Sequence, residues 1–90
     1  MYSYGTAKKS GNVVTVNYVG DVIGLTAHTE IVIGNVGNDK IPPLQIAAPC
    51  YFTSYVAGQV IIDTSGNISL YADADISTRA GCRFSIAYIV

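Results

Sequence analysis

The chain has 90 residues, of which 50% are hydrophobic and only 12% are charged, and its net charge is −1. This balance excludes intrinsic disorder, which requires low hydrophobicity and high charge. It also disfavours nucleic-acid binding, because the five cations are scattered and Lys8-Lys9 is their only adjacent pair. No apolar run approaches the roughly 20 residues that cross a bilayer, so membrane insertion is not expected. Residues 1–90 are predicted to form one domain, with part of the apolar excess in subunit contacts.

The first half of the chain carries strand patterns. Asn12–Val19 places Val14, Val16 and Tyr18 on one side, which is the period of two that a strand with one buried face requires. Thr29–Ile33 alternates in the same way. Prolines 42, 43 and 49 predict a connection that precedes a strand near Cys50–Val56, because proline cannot pair within a central strand.

The second half contains the clearest elements. Val60–Asp63 and Ile68–Ala72 flank a short segment with Gly66 and Asn67, which predicts a tight hairpin. Cys82–Val90 alternates to the end of the sequence, so we expect it to lie inside the sheet. The fold class predicted is all-β, a small antiparallel β-sandwich or barrel.

Residues for catalysis or cofactor binding are scarce. The one histidine, His28, cannot build a metal cluster or a two-histidine relay within one chain, and His28 and Glu30 are expected on one strand face. Cys50 and Cys82 lack metal-site spacing and are interpreted as buried reduced thiols, whereas a disulfide would suit a secreted domain. We therefore expect no catalytic residues, no metal and no cofactor.

Tyrosine is the one enriched residue type, with seven copies and no tryptophan. Tyrosine combines a rigid apolar ring with a polar hydroxyl, which suits sugar stacking and protein interfaces. Tyr18 and Tyr88 follow the core pattern. The others are candidates for a subunit contact or a ligand surface, namely Tyr2, Tyr4, Tyr51, Tyr55 and Tyr71.

Two segments carry a resemblance to a known family. The hairpin of residues 58–71, GQVIIDTSGNISLY, and the ending RFSIAYIV of residues 83–90 resemble the C-terminal head, or tip, domains of bacteriophage tail-fibre and baseplate receptor-binding proteins. Residues 12–16 look like the opening strand of the same head. A segment of the Leu-Pro-x-Gly-Tyr-Arg-Pro type, frequent in these tips, is replaced here by IPPLQIAAP at residues 41–49.

The resemblance implies a homotrimeric head on the phage virion, made in the cytoplasm of the bacterial host. It would adhere to a host cell-surface glycan or protein receptor without catalysis, and this chain would be the end of a longer fibre protein. The family transfers no binding residue, so the candidate ligand-binding residues come from polar side chains in two predicted loops: Asn35, Asn38, Asp39, Asp73, Asp75 and Arg79. Two alternatives are a structural trimerisation domain of a fibre and a secreted bacterial adhesin or carbohydrate-binding module.

Overall fold

A computed structural model describes residues 5–22, 24–53 and 56–90. These residues form one antiparallel sheet of seven strands that curls into a half-barrel. The strands are β1 (Gly5–Ser10), β2 (Val13–Val22), β3 (Glu30–Asn35), β4 (Ile46–Phe52), β5 (Val56–Ile62), β6 (Asn67–Ala72) and β7 (Ala80–Ile89). The prediction of an all-β antiparallel fold is confirmed, and the sheet curls around its core as a half-barrel.

The strand order across the sheet is β1-β2-β7-β4-β5-β6-β3. The last strand, β7, lies between β2 and β4, which confirms its expected interior position. β7 pairs with β2 along its whole length, from Val13↔Ile89 to Val22↔Ala80. In the described chain it pairs with β4 at only two positions, Tyr51↔Arg83 and Phe52↔Cys82. β4 and β7 therefore separate beyond this short junction.

The core lies on the inner face of the curled sheet. The alternating residues of β2 and β7 that were predicted to face inward are buried, among them Val14, Val16 and Ile86. The rings of Tyr18 and Phe84 stack with 5.3 Å between their centroids. Burial of these apolar side chains is the main force that holds β2 against β7.

The hairpin predicted around Gly66 is present. β5 and β6 are joined by the turn 63–66, and Gly66 has a φ of 83°, a left-handed conformation that glycine adopts without steric cost. The Asp63 carboxylate accepts hydrogen bonds from the backbone N–H groups of Ser65 (2.9 Å) and Asn67 (3.0 Å). The turn is therefore fixed by one side chain as well as by its glycine.

The strand predicted near Cys50–Val56 is wrong in its boundaries. Residues 50–52 end β4, which begins at Ile46, and Val56 begins β5. Pro49 lies inside β4 opposite Gln59. Thr53 donates its N–H to Gly81 O, so the N–H groups at alternate residues back to position 49 face β7. Because β7 has no paired residue opposite position 49, the missing N–H of Pro49 costs no ladder hydrogen bond.

Strand β1 was not predicted, since GTAKKS has no apolar alternation. It pairs with β2 alone and ends the sheet on that side, where Lys8 and Lys9 are exposed. Charged side chains of this kind discourage edge-to-edge association. The described part of the chain contains one helical piece, the 3-10 turn Asn38–Lys40, and has no helix long and apolar enough to cross a membrane.

Candidate functional site

The six predicted ligand-binding residues fall into two groups at opposite ends of β6. Asn35 pairs with Asn67 at the first residue of β6, whereas Asp73 follows the last residue, Ala72. A strand of this length spans about 17 Å at roughly 3.3 Å per residue. The Asn35 end carries Asn35, Asn38 and Asp39; the Asp73 end carries Asp73, Asp75 and Arg79. The two groups therefore cannot contact one small ligand together.

At the Asn35 end, the side chain of Asn35 stabilises the protein's own turns. Its Nδ2 donates to Ser65 O at 3.2 Å and to Asn67 Oδ1 at 3.0 Å, and its Oδ1 accepts from the N–H of Gly37 at 2.8 Å. These three bonds use both ends of the amide. Asn35 consequently has a structural role that the sequence did not indicate.

Asn38 and Asp39 lie in the 3-10 turn that follows β3, close in the chain to Asn35, and Asn38 is exposed. Asp39 Oδ1 forms an ion pair with Lys40 Nζ at 3.0 Å. The hydrogen bond from Lys40 lowers the pKa of the Asp39 carboxyl below its usual value. Both side chains are exposed and offer polar contacts to solvent.

At the Asp73 end, Asp75 also has a structural bond. Its Oδ1 accepts from the N–H of Ala27 at 2.7 Å and so holds the connection between β2 and β3 against that between β6 and β7. Leu25 and Ile76 form a β-bridge between the same two connections. Arg79 Nη1 lies 3.5 Å from Asp21 Oδ2, and both of these side chains are exposed. Asp73 is exposed at the start of this segment.

The connection that Asp75 supports carries His28. The backbone of His28 has a φ of 59°, an uncommon conformation for a residue with a side chain, and its N–H donates to Ala72 O at 2.9 Å. The prediction that His28 and Glu30 share a strand face is wrong, because β3 begins at Glu30. Instead, the exposed His28 ring lies tilted against Tyr71, with 5.9 Å between ring centroids.

Tyr71 lies in a row of directly paired residues on the outer face of the sheet. Glu30 pairs with Tyr71, Tyr71 with Gln59, and Gln59 with Pro49, across β3, β6, β5 and β4. We call these four residues the Tyr71 row. Glu30, Gln59 and Pro49 are exposed, and Tyr71 is half-buried. The row therefore offers one aromatic ring between a carboxylate and an amide.

A shallow groove of about 290 Å³ adjoins the Tyr71 row. It is lined by residues of β4 and β5, namely Ala47, Ala48, Pro49, Gly58 and Gln59. Gln59 and Pro49 belong to both features, so the groove extends the row beyond Tyr71. The groove is shallow and open, and among these five residues Gln59 alone has a side chain with hydrogen-bonding groups.

The sequence identified part of this site. Tyr71 was named as a candidate for an interface or ligand surface, and its outward position agrees with that. Tyr51 is also outward and 61% exposed, whereas Tyr18 and Tyr88 are buried as expected. Tyr2, Tyr4 and Tyr55 lie outside the described residues. Glu30 and Gln59 were not predicted, because only the pairing of three strands brings them beside Tyr71.

Among the described residues, no group of three or more His, Cys, Asp or Glu side chains is placed to hold a metal ion. The chemistry available at the Tyr71 row is hydrogen bonding and ring stacking. No protein-family model matches the chain, and no curated protein matches it either. Its function is therefore inferred from its own residues and their arrangement.

Proposed function

We propose that this domain is a non-catalytic binding head that attaches to a cell-surface glycan through the Tyr71 row. The observation that carries the proposal is the position of Tyr71, half-exposed on the outer face between Glu30 and Gln59 in adjacent strands. The fibre-tip resemblance of residues 58–71 covers the same hairpin. In that setting the domain belongs to a phage virion and adheres to its bacterial host.

The Tyr71 row has the chemistry that a saccharide needs. The apolar face of a sugar ring packs on an aromatic ring, while its hydroxyl groups exchange hydrogen bonds with polar side chains around it. Gln59 supplies both a donor and an acceptor, and the Glu30 carboxylate supplies acceptors. Each contact is weak alone, so useful attachment depends on several copies acting together.

The two connections at the Asp73 end support this surface. Asp75 holds the backbone of Ala27, and the adjacent His28 places its ring against Tyr71. We assign Asp75 a positioning role and His28 a place at the rim of the site. Asp73 and Arg79 lie at the same end of the sheet and are available for secondary polar contacts.

We propose further that the head works as a homotrimer, as the resemblance implies. Support comes from apolar side chains on the outer faces of β2 and β7. Val13 and Ile89 form a directly paired couple there, with Ile89 69% exposed, and Val19 in the same strand as Val13 is 56% exposed. Burial of such side chains against neighbouring copies would remove apolar surface from water.

The binding proposal is tested on a microarray of bacterial surface polysaccharides and lipopolysaccharides. We expect the purified protein to bind at least one glycan. Tyr71→Ala should weaken that binding about tenfold or more through the lost ring, whereas Tyr71→Phe should retain most of it. Equal binding by the wild type and Tyr71→Ala would place the receptor site elsewhere, and no binding to any polysaccharide would reject the glycan as receptor.

A second candidate function is structural trimerisation of a fibre, which the exposed pair Val13–Ile89 favours. Light scattering on a size-exclusion column distinguishes the two functions when combined with the microarray. We expect the wild type to have the mass of three chains and the Val19→Lys variant to dissociate. Leu44→Lys is the control and should leave the mass unchanged, because Leu44 is 74% exposed but lies outside the strands. Trimers without glycan affinity would favour the structural role.

A further inference from the structure

Cys50 and Cys82 meet at the point where β4 and β7 separate. Cys82 is directly paired with Phe52, and Cys50 lies two residues before Phe52 on the same face of β4. The two cysteines are therefore diagonal neighbours across the short β4–β7 junction. Beyond Cys50 the two strands have no described pairing with each other.

The two thiols are already in contact. Their Sγ atoms are 3.3 Å apart, and both residues are buried, Cys50 with 4% and Cys82 with 0% of its surface exposed. A disulfide bond is about 2.0 Å long, so the sulfurs need to approach by only about 1 Å. Because diagonal neighbours on a sheet lie about 7–8 Å apart, closing this gap requires side-chain rotation together with a small approach of β4 and β7 toward each other.

The hydrogen bond between the sulfurs makes the two thiols unequal. When Cys82 donates its S–H to the Cys50 sulfur, the thiolate form of Cys50 is stabilised and the pKa of Cys50 is lowered. The same bond raises the pKa of Cys82, and burial raises it further. In this arrangement Cys50 has the larger thiolate fraction, and it is also the less buried of the two residues.

We propose that Cys50 and Cys82 form a reversible dithiol–disulfide pair that cross-links β4 to β7. The pair is reduced when the chain folds in a reducing compartment, and it becomes a disulfide in oxidising surroundings. The cross-link joins positions 32 residues apart and encloses β5 and β6 in its loop. This inference is independent of the glycan and trimer proposals.

The oxidant is a low-molecular-weight disulfide such as oxidised glutathione. The Cys50 thiolate attacks one sulfur of glutathione disulfide, whose S–S bond breaks, and one glutathione leaves as a thiolate that takes up a proton. The Cys82 sulfur then attacks Cys50 Sγ, releases the second glutathione and gives up its own proton to it. Two protein thiols are oxidised, and one glutathione disulfide is reduced to two glutathiones.

The test is a redox titration of the whole chain in glutathione buffers, approached from the folded reduced protein and by refolding from urea. Refolding exposes both thiols to glutathione, so the redox equilibrium is reached even if glutathione reacts slowly with the buried pair in the folded protein. Thiol alkylation followed by intact mass measurement counts the free cysteines. We expect an intrachain disulfide that persists with about a tenfold excess of reduced over oxidised glutathione.

Thermal unfolding supplies the second measurement. The oxidised protein should melt roughly 10 °C or more above the reduced protein, because the cross-link restricts the unfolded chain. Cys50→Ala and Cys82→Ala, the matched controls, should show no redox-dependent shift. The proposal is overturned if both thiols of the wild type are alkylated after oxidative refolding, if only interchain disulfides form, or if oxidation leaves the melting temperature unchanged.

Discussion

The hydroxyl of Tyr88 donates a 2.6 Å hydrogen bond to the backbone carbonyl of Lys40. This bond joins β7 to the connection between β3 and β4, on the side of the molecule where β4 and β7 are no longer paired. Tyr88 is otherwise buried among the apolar residues of the inner face. A core side chain thus links the two parts of the sheet where the backbone ladder does not.

Removal of this hydroxyl should destabilise the fold without disturbing the core. Tyr88→Phe keeps the ring but leaves the Lys40 carbonyl without this donor, so the free energy of unfolding should fall by about 1 kcal/mol. Urea unfolding followed by circular dichroism measures the change. Tyr71→Phe, at a half-exposed position, is the control and should change stability by less than about 0.5 kcal/mol. Equal effects of the two substitutions would contradict a structural role for the Tyr88 bond.

The same hydroxyl should make stability depend on alkaline pH. Burial raises the pKa of Tyr88 above its ordinary value of 10.0. Since the unfolded chain ionises first, the contribution of Tyr88 is fully present below about pH 10 and is lost as the pH rises through the folded-state value. The stability difference between wild type and Tyr88→Phe, measured by urea unfolding at several pH values, should shrink above pH 10. A difference that stays constant there would refute the prediction.

The elements that could be predicted were those whose pattern is local. The alternation of residues 82–90 and the glycine turn at Gly66 each specify a strand or a hairpin without reference to the rest of the chain. β1 depends on its partner β2, and Pro49 is tolerated in β4 only because β7 has separated there. Neither condition can be read from the segment itself, since both arise from long-range pairing.

The candidate site could be predicted only in part, for the same reason. Tyr71 was recognisable as an outward aromatic residue, but its neighbours Glu30 and Gln59 are 41 and 12 positions away in the chain and meet it only through strand register. Asn35 and Asp75 were selected as exposed polar residues, and their side chains instead bond to the protein's own backbone. Residue type indicates which groups can bind a ligand, and the pairing decides which of them are free to do so.

Close strand packing at Gly58 should make that position intolerant of a side chain. A Cβ there would overlap the backbone oxygen of Tyr71 and lie 3.0 Å from Phe52 Cε2. Gly58→Ala should therefore lower the free energy of unfolding by about 2–3 kcal/mol, because the β5–β6 backbone must shift. Gly34→Ala is a matched control, since the nearest atom to its Cβ, Ile68 Cδ1, is 4.0 Å away. Urea unfolding should give a clearly lower free energy of unfolding for Gly58→Ala than for Gly34→Ala. Similar losses of stability in the two variants would contradict the proposed overlap.

The turn between β5 and β6 should depend on the acceptor that Asp63 provides. Asp63→Ala leaves the N–H groups of Ser65 and Asn67 without the carboxylate that now accepts from both, and should cost about 1–2 kcal/mol. Asp63→Asn retains a side-chain oxygen in the same place and should lose less than half as much. Thermal unfolding of the three proteins should rank their stability, with the wild type highest, Asp63→Asn next and Asp63→Ala lowest. If the two variants lost the same stability, the negative charge of Asp63 rather than its acceptor geometry would be what holds this turn.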